Sequence, residues 1–395
     1  MKILFHNTSA NKYSINALSY IIENIDSEVY FFNSIKELKD KKLNPGKKEK
    51  LIFVFSFMTP YAEKEKNTAS EIKKIFPNSI TIAGGPHLSK KTADDMLLYF
   101  DYIFIGDGEI SFKKFIKDII LGNEISQRII LGEEVNIDEF QSISEKFKRF
   151  GSIEITRGCP FMCFYCQNSY LKGIFQRHKS IPNIIKEIEI LIRNNFRDIR
   201  FITPDLASYG SDGIKINLEK FSEFVSEINK AVKGRGRVFI GSFPSEIRPE
   251  HITEDLLKIL KNNTSSKRIL IGAQSGSDNI LKKINRGHSV SDVINAVKLL
   301  KKYEFDVDVD FIFGFPFETE NDLNETKKVI EILTEKYQAR IHLHYFMPLE
   351  NTPFANLKPK KPDKKLKKFL SSLTSRKVAF GQWENQLKMS ISHLK

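Results

Sequence analysis

Apolar and polar positions in the first 125 residues follow two periodicities in turn. Short apolar runs predict strands, and stretches with apolar residues three or four apart predict helices, such as "SINALSYIIENI" and "EKNTASEIKKIFP". The strand candidates are "KILFHN", "EVYFFN", "KLIFVFSF", "SITIAGG" and "DYIFIGDGE". Strands that alternate with helices predict a parallel, doubly wound sheet, and the almost wholly apolar "KLIFVFSF" is typical of its centre. Ligands of such sheets bind beyond the carboxyl ends of the strands.

The alternation restarts at Gly151. Six further strand candidates, separated by amphipathic stretches, are "SIEIT", "DIRFIT", "RVFIGSF", "RILIGAQ", "DVDVDFIFGF" and "ARIHLHYFMP". Six strand–helix units predict an incomplete (β/α)6 TIM-type barrel. We therefore predict an α/β chain with a Rossmann-like domain over 1–125, a polar linker over 126–148, a partial barrel over 149–354 and a basic helical tail over 355–395.

Composition limits the class of protein. The 395 residues are 41% hydrophobic and 28% charged, as in a globular protein. No apolar run approaches the roughly 20 residues that span a bilayer, and the first strand breaks off too early for a signal peptide, so a cytoplasmic location without a membrane is expected. The net charge of +13 is scattered along the chain, which indicates a solvated surface more than a nucleic-acid interface.

All three cysteines, Cys159, Cys163 and Cys166, follow the strand "SIEIT". Three thiols cannot close a disulfide framework, and clustered thiols in a reducing compartment more often bind metal. Each thiolate can bind one iron of a cubane cluster, which leaves the fourth iron open to a substrate or cofactor. A zinc site with His178 as fourth ligand is the alternative, although the second cysteine pair of most zinc sites is missing.

The spacing C-x-x-x-C-x-x-C, with Tyr165 before the last cysteine, resembles the signature of the radical S-adenosylmethionine (SAM) superfamily. The resemblance implies a [4Fe–4S] cluster whose open iron is chelated by SAM, and reductive cleavage of SAM to a 5′-deoxyadenosyl radical. Later stretches that match the superfamily place Gln274 and Ser275 at the ribose, Arg286 at the carboxylate and Asp310 at the strand that lines the adenine. The full set of SAM-binding residues that the resemblance implies is Tyr165, Pro204, Asp205, Ser245, Glu246, Gln274, Ser275, Arg286 and Asp310.

Two stretches upstream, "AGGPHLS" and "DYIFIGDGEISF", resemble the cobalamin-binding module of cobalamin-dependent radical SAM enzymes. The cobalamin-binding residues that this implies are Ser56, Thr59, Gly84, Gly85, His87, Gly106, Gly108 and Glu109. The Asp-x-His-x-x-Gly sequence that supplies an axial histidine elsewhere is missing, so we expect cobalt without a histidine ligand from this domain, with His6 or Tyr13 as the alternative. In "MPLENTPF", Glu350 and Asn351 replace the Pro-Gly of a Pro-Leu-Pro-Gly-Thr-Pro turn.

The resemblance implies a cobalamin-dependent radical SAM methyltransferase that methylates an unactivated carbon. The expected acceptor is a protein residue, such as a glutamine of methyl-coenzyme M reductase, with small metabolites and lipid precursors left open. The expected reductant is a ferredoxin or flavodoxin. One alternative is a cobalamin radical enzyme that rearranges or cyclises its substrate. Another is a methylthiotransferase, which usually carries three further upstream cysteines. A cobalamin- or RNA-binding regulator would leave the cysteine loop unexplained.

Overall fold

A computed structural model describes residues 1–40 and 50–393 and divides the chain into two units. Unit 1 comprises Met1–Gly151 and the short segment Leu349–Asn351, and unit 2 comprises Ser152–Pro348 and Thr352–Lys395.

Unit 1 is built on one parallel sheet of six strands. The strands are β1 (Lys2–His6), β2 (Glu28–Phe32), β3 (Leu51–Ser56), β4 (Ile80–Gly84), β5 (Tyr102–Ile105) and β6 (Ile129–Leu131), in the spatial order β2-β1-β3-β4-β5-β6. The helices are α1 (Lys12–Ile21), α2 (Ile35–Asp40), α3 (Ala62–Ile75), α4 (Ala93–Met96) and α5 (Glu109–Leu121).

Both faces of this sheet are covered, as the apolar pattern of β3 predicts. Phe53 packs into a cluster with Leu4 and Ala83 on one face. Val54, which points to the opposite face, packs with Ile3 and Phe5. Every residue of β3 is buried, which confirms the doubly wound architecture.

The predicted linker over 126–148 is wrong, because these residues belong to unit 1. Strand β6 pairs in parallel with β5, with Phe104 opposite Ile130. The amide of Asn16 on α1 donates to the carbonyl of Phe150 at 3.1 Å, so the chain stays bound to unit 1 almost to Gly151. Polar composition suggested a linker, yet a strand at a sheet edge needs only a few apolar residues.

Unit 2 carries ten strands and nine helices among its described residues. The strands are β7 (Ile153–Glu154), β8 (Thr156–Arg157), β9 (Arg177–His178), β10 (Asp198–Ile199), β11 (Phe201–Ile202), β12 (Arg237–Val238), β13 (Arg268–Gln274), β14 (Asp306–Phe313), β15 (Arg340–Tyr345) and β16 (Ala379–Phe380). The helices are α6 (Asn168–Lys172), α7 (Ile181–Arg193), α8 (Leu218–Val232), α9 (Glu254–Lys261), α10 (Asp278–Lys283), α11 (Val290–Lys302), α12 (Glu320–Glu331), α13 (Lys364–Ser375) and α14 (Trp383–His393).

The main strands of unit 2 follow one another in parallel, as in a partial barrel. β7 pairs with β11, and β10 pairs with β12. The other four strands form one sheet, in which β13 pairs with β14, β14 with β15, and β15 with β16. A bridge between Ile247 and Ile271 connects the segment after β12 to β13. The predicted tail is helical, but its β16 extends this sheet, so it is a packed part of unit 2.

N-cap residues close in sequence mark the start of several barrel helices. Ser180 accepts the N–H of Asn183 at the start of α7, and Ser289 and Asp292 form a capping box at the start of α11. Apolar residues on the inner face of each helix then pack on the strands. In the part of the chain that the structure describes, no helix combines the length and apolarity that crossing a membrane requires.

Candidate active site

The cysteine loop lies between β8 and α6, at the carboxyl end of the first barrel strand. It opens at Gly158, whose φ is +94°, and a side chain there would collide with the carbonyl of Phe175. Cys163 is buried, and the N–H of Cys166 donates to the Cys163 carbonyl at 3.0 Å. The three thiols are free, so the loop is available to a metal cluster.

Asn285, which the sequence analysis missed, hydrogen-bonds directly to this loop although it lies more than a hundred residues later in the sequence. Its amide donates to the carbonyls of Phe161 at 3.0 Å and Met162 at 3.1 Å. Met162 has a φ of +50°, a conformation that costs free energy for a non-glycine residue. Asn285 therefore stabilises a strained turn between the first two cysteines.

Electrostatics at the loop fit a positively charged cluster. Burial raises the pKa of the Cys166 thiol to about 12, and the charges of Cys163 and Cys159 add to this. Three neighbouring thiolates are therefore unfavourable without a cation among them, and the iron ions of a [4Fe–4S] cluster would supply that charge.

His178 does not fit the zinc alternative. Its Nδ1 lies 2.9 Å from the hydroxyl of Thr156, and its Nε2 lies 2.8 Å from the carbonyl of Ser211. Among the described residues, His178 also belongs to no group of three side chains whose ligand atoms come close enough to share a metal ion. These observations favour a structural role for His178 in the β8–β9 hairpin over a role as fourth zinc ligand.

Three of the predicted SAM residues, Glu246, Gln274 and Arg286, place polar side-chain atoms around Gly272, on the side where a Cβ would project. A Cβ at Gly272 would lie 2.5 Å from Gln274 Nε2, 2.8 Å from Arg286 Nη2 and 3.0 Å from Glu246 Oε2. Gln274 adopts a φ of +70° beside a register shift in β13. The glycine thus leaves room for the three polar ends to meet, and the strained Gln274 is typical of a binding site.

Arg286 connects this point to the cysteine loop. Its Nη2 donates to the Gly272 carbonyl at 2.8 Å, and its Nη1 lies 3.8 Å from Cys163 Sγ. Burial lowers the pKa of Arg286, but the charges of Tyr165 and Cys163 outweigh it and raise that pKa. Its buried Nε has no hydrogen-bond partner among the described residues, so the guanidinium fits a bound carboxylate.

Glu246 is the acidic member of the group. Burial raises its pKa to about 7, and the nearby charge of Asp310 adds to the effect. A carboxyl group beside an arginine can accept a proton or a hydrogen bond, and its contact with the ribose or methionine part of SAM stays a prediction.

Four other predicted SAM residues have protein partners of their own. Tyr165 is partly buried, and its ring lies 6.1 Å from that of Phe315. The Asp205 carboxylate accepts the N–H of Arg248 at 3.0 Å and binds His251 at 2.7 Å. Ser245 donates to the Ser242 carbonyl, and Ser275 lies 3.4 Å from Thr326. The structure does not bring these side chains, or Pro204, to the point above Gly272, and their contact with SAM stays a prediction.

The predicted cobalamin residues of unit 1 lie at the strand ends of its sheet. Ser56 donates to Ser14 at 3.0 Å, and Thr59 Oγ1 accepts the N–H of Glu350 at 3.0 Å and lies 3.3 Å from His87. Gly85 has a φ of +101° and backs onto the Phe57 backbone, so no other residue fits there. The remaining members, Gly84, Gly106, Gly108 and Glu109, follow β4 and β5 at the same end of the strands.

Asn351 stands where the Pro-Leu-Pro-Gly-Thr-Pro turn has glycine, and its backbone keeps a conformation that suits glycine. Its φ is +65°, a conformation that asparagine tolerates better than most residues. Its amide donates to the carbonyls of Pro86 at 3.0 Å and Leu88 at 3.3 Å, so the segment Leu349–Asn351 is held at the strand ends of unit 1. His6, by contrast, is only 1% exposed, which argues against it as a cobalt ligand, and its Nδ1 lies 2.7 Å from Glu65.

Comparison with known proteins agrees with this geometry. Residues 153–330 match the Radical SAM superfamily. The chain is 31% identical over 268 residues to the tRNA-2-methylthio-N(6)-dimethylallyladenosine synthase of Clostridium perfringens, and the match covers 66% of this chain and 58% of that enzyme. The chain therefore spans little more than half the length of this relative.

Two solved structures share the fold across both units. One is the radical S-adenosylmethionine methyltransferase TsrM from Kitasatospora setae, determined with tryptophan and a SAM analogue, with a TM-score of 0.68, 14% identity and coverage of 90% of this chain and 75% of that one. The other is the cobalamin-dependent S-adenosylmethionine radical enzyme OxsB, with a TM-score of 0.63, 14% identity and coverage of 95% and 61%.

The cysteine loop, the polar group above Gly272 and the matched range point to the same conclusion. Residues 153–330 form a Radical SAM domain for a [4Fe–4S] cluster and S-adenosylmethionine, and the fold of the chain is that of cobalamin-dependent radical SAM enzymes.

Proposed function

We propose that this chain is a cobalamin-dependent radical SAM methyltransferase that methylates an unactivated carbon. The observation that carries the proposal is the pairing of a three-cysteine barrel with a parallel sheet whose strand ends are glycine-rich and lack a dinucleotide fingerprint. When bound, the cluster and SAM supply a carbon-centred radical by one-electron cleavage, and cobalamin supplies the methyl group.

The residues of unit 2 have distinct tasks in this proposal. Cys159, Cys163 and Cys166 hold the cluster and leave one iron for the amino and carboxylate groups of SAM. Arg286 neutralises the carboxylate, and Glu246 accepts a hydrogen bond from the amine. Cys163 and Arg286 are buried and the other three groups are partly buried, which lowers the local dielectric constant and strengthens charge pairing.

The strand ends of unit 1 support the cobalamin part. The glycines set the turns at these strand ends: Gly85 (φ +101°) packs on the backbone of Phe57 after β4, and Gly106 (φ +95°) packs on the backbone of Gly132 after β5. Asn351 and Thr59 tie the segment Leu349–Asn351 to this edge. Because His6 is buried, we expect cobalt without a histidine ligand from this unit.

A methylthiotransferase is the second candidate, because curated relatives carry that name. The cysteine count argues against it. This chain has three cysteines in total, and all three lie in the one loop. No thiols remain for the second cluster that such enzymes usually carry.

The test is a reconstituted, oxygen-protected protein supplied with methylcobalamin and SAM that carries a labelled methyl group. Candidate acceptors are a peptide containing the glutamine of methyl-coenzyme M reductase and a tRNA that carries N(6)-dimethylallyladenosine, as the product named for the relative requires. We expect a labelled methyl group on carbon in the peptide and tight binding of cobalamin. A labelled methylthio group on tRNA, or release of 5′-deoxyadenosine with a rearranged product only, would contradict the proposal.

Cys163→Ala and Ser169→Ala form a matched pair for the same assay. Cys163→Ala removes a cluster ligand and should abolish both the iron–sulfur absorption and the release of 5′-deoxyadenosine. Ser169 in α6 accepts the N–H of Met162 in the cysteine loop at 3.1 Å but offers no ligand to iron. Its variant should keep the cluster.

A further inference from the structure

Three side chains of the types that bind metal ions meet on one face of β14 and β15. Asp310 lies opposite His342 in the parallel register, and His344 follows two residues later on the same face. His342 Nδ1 is 2.9 Å from Asp310 Oδ1, and His344 Nε2 is 3.1 Å from His342 Nδ1 and 3.5 Å from Asp310 Oδ1. In the described part of the chain no other group of three histidine, cysteine or acidic side chains comes this close.

The three separations fit the ligand shell of a single ion. Nitrogen and oxygen ligands bond zinc at about 2.0–2.2 Å, so neighbouring ligand atoms are about 3.0 Å apart in an octahedral shell and about 3.4 Å apart in a tetrahedral one. The observed 2.9, 3.1 and 3.5 Å span that range. One ion could therefore bond to all three atoms while the strands stay in register.

We propose that Asp310, His342 and His344 bind one divalent transition-metal ion inside the barrel unit, at a site separate from the cysteine loop. Two imidazoles and one carboxylate favour Zn²⁺, Fe²⁺ or Co²⁺ over Mg²⁺ and Ca²⁺, and they leave coordination positions open. The open positions suit a carbonyl, amide or carboxylate oxygen of a substrate. This goes beyond the proposed function, and it gives Asp310 a task other than the predicted contact with SAM.

The surroundings of the triad agree with a bound cation. Asp310 is buried, and the partly buried Glu246 lies near enough for the two negative charges to interact. The two histidine side chains are each 25% exposed, so a small ligand can reach them. Phe380 stacks on the His342 ring at 4.5 Å between centroids and 5° between planes, which fixes the orientation of that ring.

Gln386 supplies a sharp test because its side-chain amide contacts His344 Nδ1, the ring nitrogen that would not bind the metal ion. Its Oε1 accepts the N–H of Tyr345 at 2.8 Å, so its Nε2 faces His344 Nδ1 at 3.2 Å. A metal on Nε2 leaves the proton of a neutral imidazole on Nδ1, where an acceptor is needed. To supply that acceptor, the side-chain amide of Gln386 must rotate until Oε1 faces His344 Nδ1, and it then no longer accepts the N–H of Tyr345. Gln386→Glu offers a carboxylate oxygen to both N–H groups and should tighten metal binding by about tenfold.

The first experiment titrates Co²⁺ into the full chain with all three cysteines changed to alanine. Without any thiolate, the cluster site cannot bind the probe. We expect one Co²⁺ per chain, with visible d–d bands of nitrogen and oxygen ligation. His342→Asn and His344→Gln should each weaken binding at least about tenfold. His251→Gln is the matched control, since His251 also binds a buried carboxylate at 2.7 Å but has no third ligand in the described residues.

The second experiment uses the reconstituted protein with its cysteines intact and measures zinc beside iron by mass spectrometry. We expect one zinc per chain, lost in His344→Gln while the iron–sulfur absorption stays. This decides the matter if the cysteine-free chain does not fold. Absence of zinc uptake, or uptake that the two histidine variants leave unchanged, overturns the proposal. Since neither readout needs SAM cleavage, a failure here is distinct from a failure of the proposed function.

Discussion

The central strands of the two units show how the surroundings of a parallel strand decide its chemistry. β3 of unit 1 is buried along its whole length, and its residues are apolar on both faces. β14 of unit 2 alternates: Val307, Val309 and Phe311 are fully buried, whereas Asp308 and Asp310 occupy the other face. Helices cover both faces of β3, but only one face of a barrel strand. The inner face of β14 can therefore carry charges that bind a ligand, and β3 can place polar groups only at its end.

The largest expected effect comes from moving a charge to the wrong face. Val54→Asp on β3 and Val309→Asp on β14 each bury an unpaired carboxylate and should cost about 4 kcal/mol or more of unfolding free energy. Ile312→Asp, on the inner face of β14 and only partly buried, should cost about 2 kcal/mol or less. Chemical denaturation of the three variants measures the difference. Equal losses would show that the two faces of β14 do not differ.

A pH titration tests a buried carboxyl group that follows β14. Burial raises the pKa of Glu318 from 4.5 to about 7. In that range the folded chain keeps a proton that the unfolded chain has lost. The free energy of unfolding should therefore fall as the pH rises from about 4.5 to about 7, by at most about 3 kcal/mol.

Glu318→Gln should flatten this part of the pH profile. The exposed Glu320, two residues later, offers the matched control Glu320→Gln, whose profile should follow the unmodified chain. A wild-type stability that is constant or rising over the window, with the same profile in Glu318→Gln, would contradict the assignment.

Binding of SAM should depend on Arg286, which lies between α10 and α11. Arg286→Ala removes a charged donor beside Cys163 and should weaken SAM binding to the reconstituted protein by about ten- to a hundredfold. Arg286→Lys keeps the positive charge but lacks the planar guanidinium, so its affinity for SAM should lie between those of the unmodified protein and Arg286→Ala. Arg268→Ala, at the amino end of β13, serves as the control for equilibrium dialysis. A loss in Arg268→Ala equal to that in Arg286→Ala would point to a general structural effect.

The smallest effect concerns the strand ends of unit 1. Asn351→Ala places alanine at a φ of +65° and removes two hydrogen bonds, which should lower the free energy of unfolding by about 2 kcal/mol. Asn351→Gly relieves the strain and should lose only about 1 kcal/mol. Thermal unfolding of both variants gives the comparison. A glycine variant less stable than the alanine variant would show that backbone strain is not the cause.

Local sequence was sufficient where the signal lies within one element. The apolar run of β3 predicted a central strand, and the spacing of Cys159, Cys163 and Cys166 predicted the cluster loop. Two residues were missed although a signal existed. His342 and His344 are two apart in a predicted strand, and residues with that spacing share a face. The short β6 was missed because three residues carry little periodicity.

By itself the sequence determined the two α/β units, the cysteine loop and the amphipathic helices, because each depends on residues close together in the chain. Only the tertiary structure decided that Glu246, Gln274 and Arg286 meet above Gly272, that Asn285 supports the cysteine loop, and that Asp310 lies against two histidines. These contacts join residues far apart along the chain. Strand register and side-chain packing set them, and neither is encoded in the periodicity of any one segment.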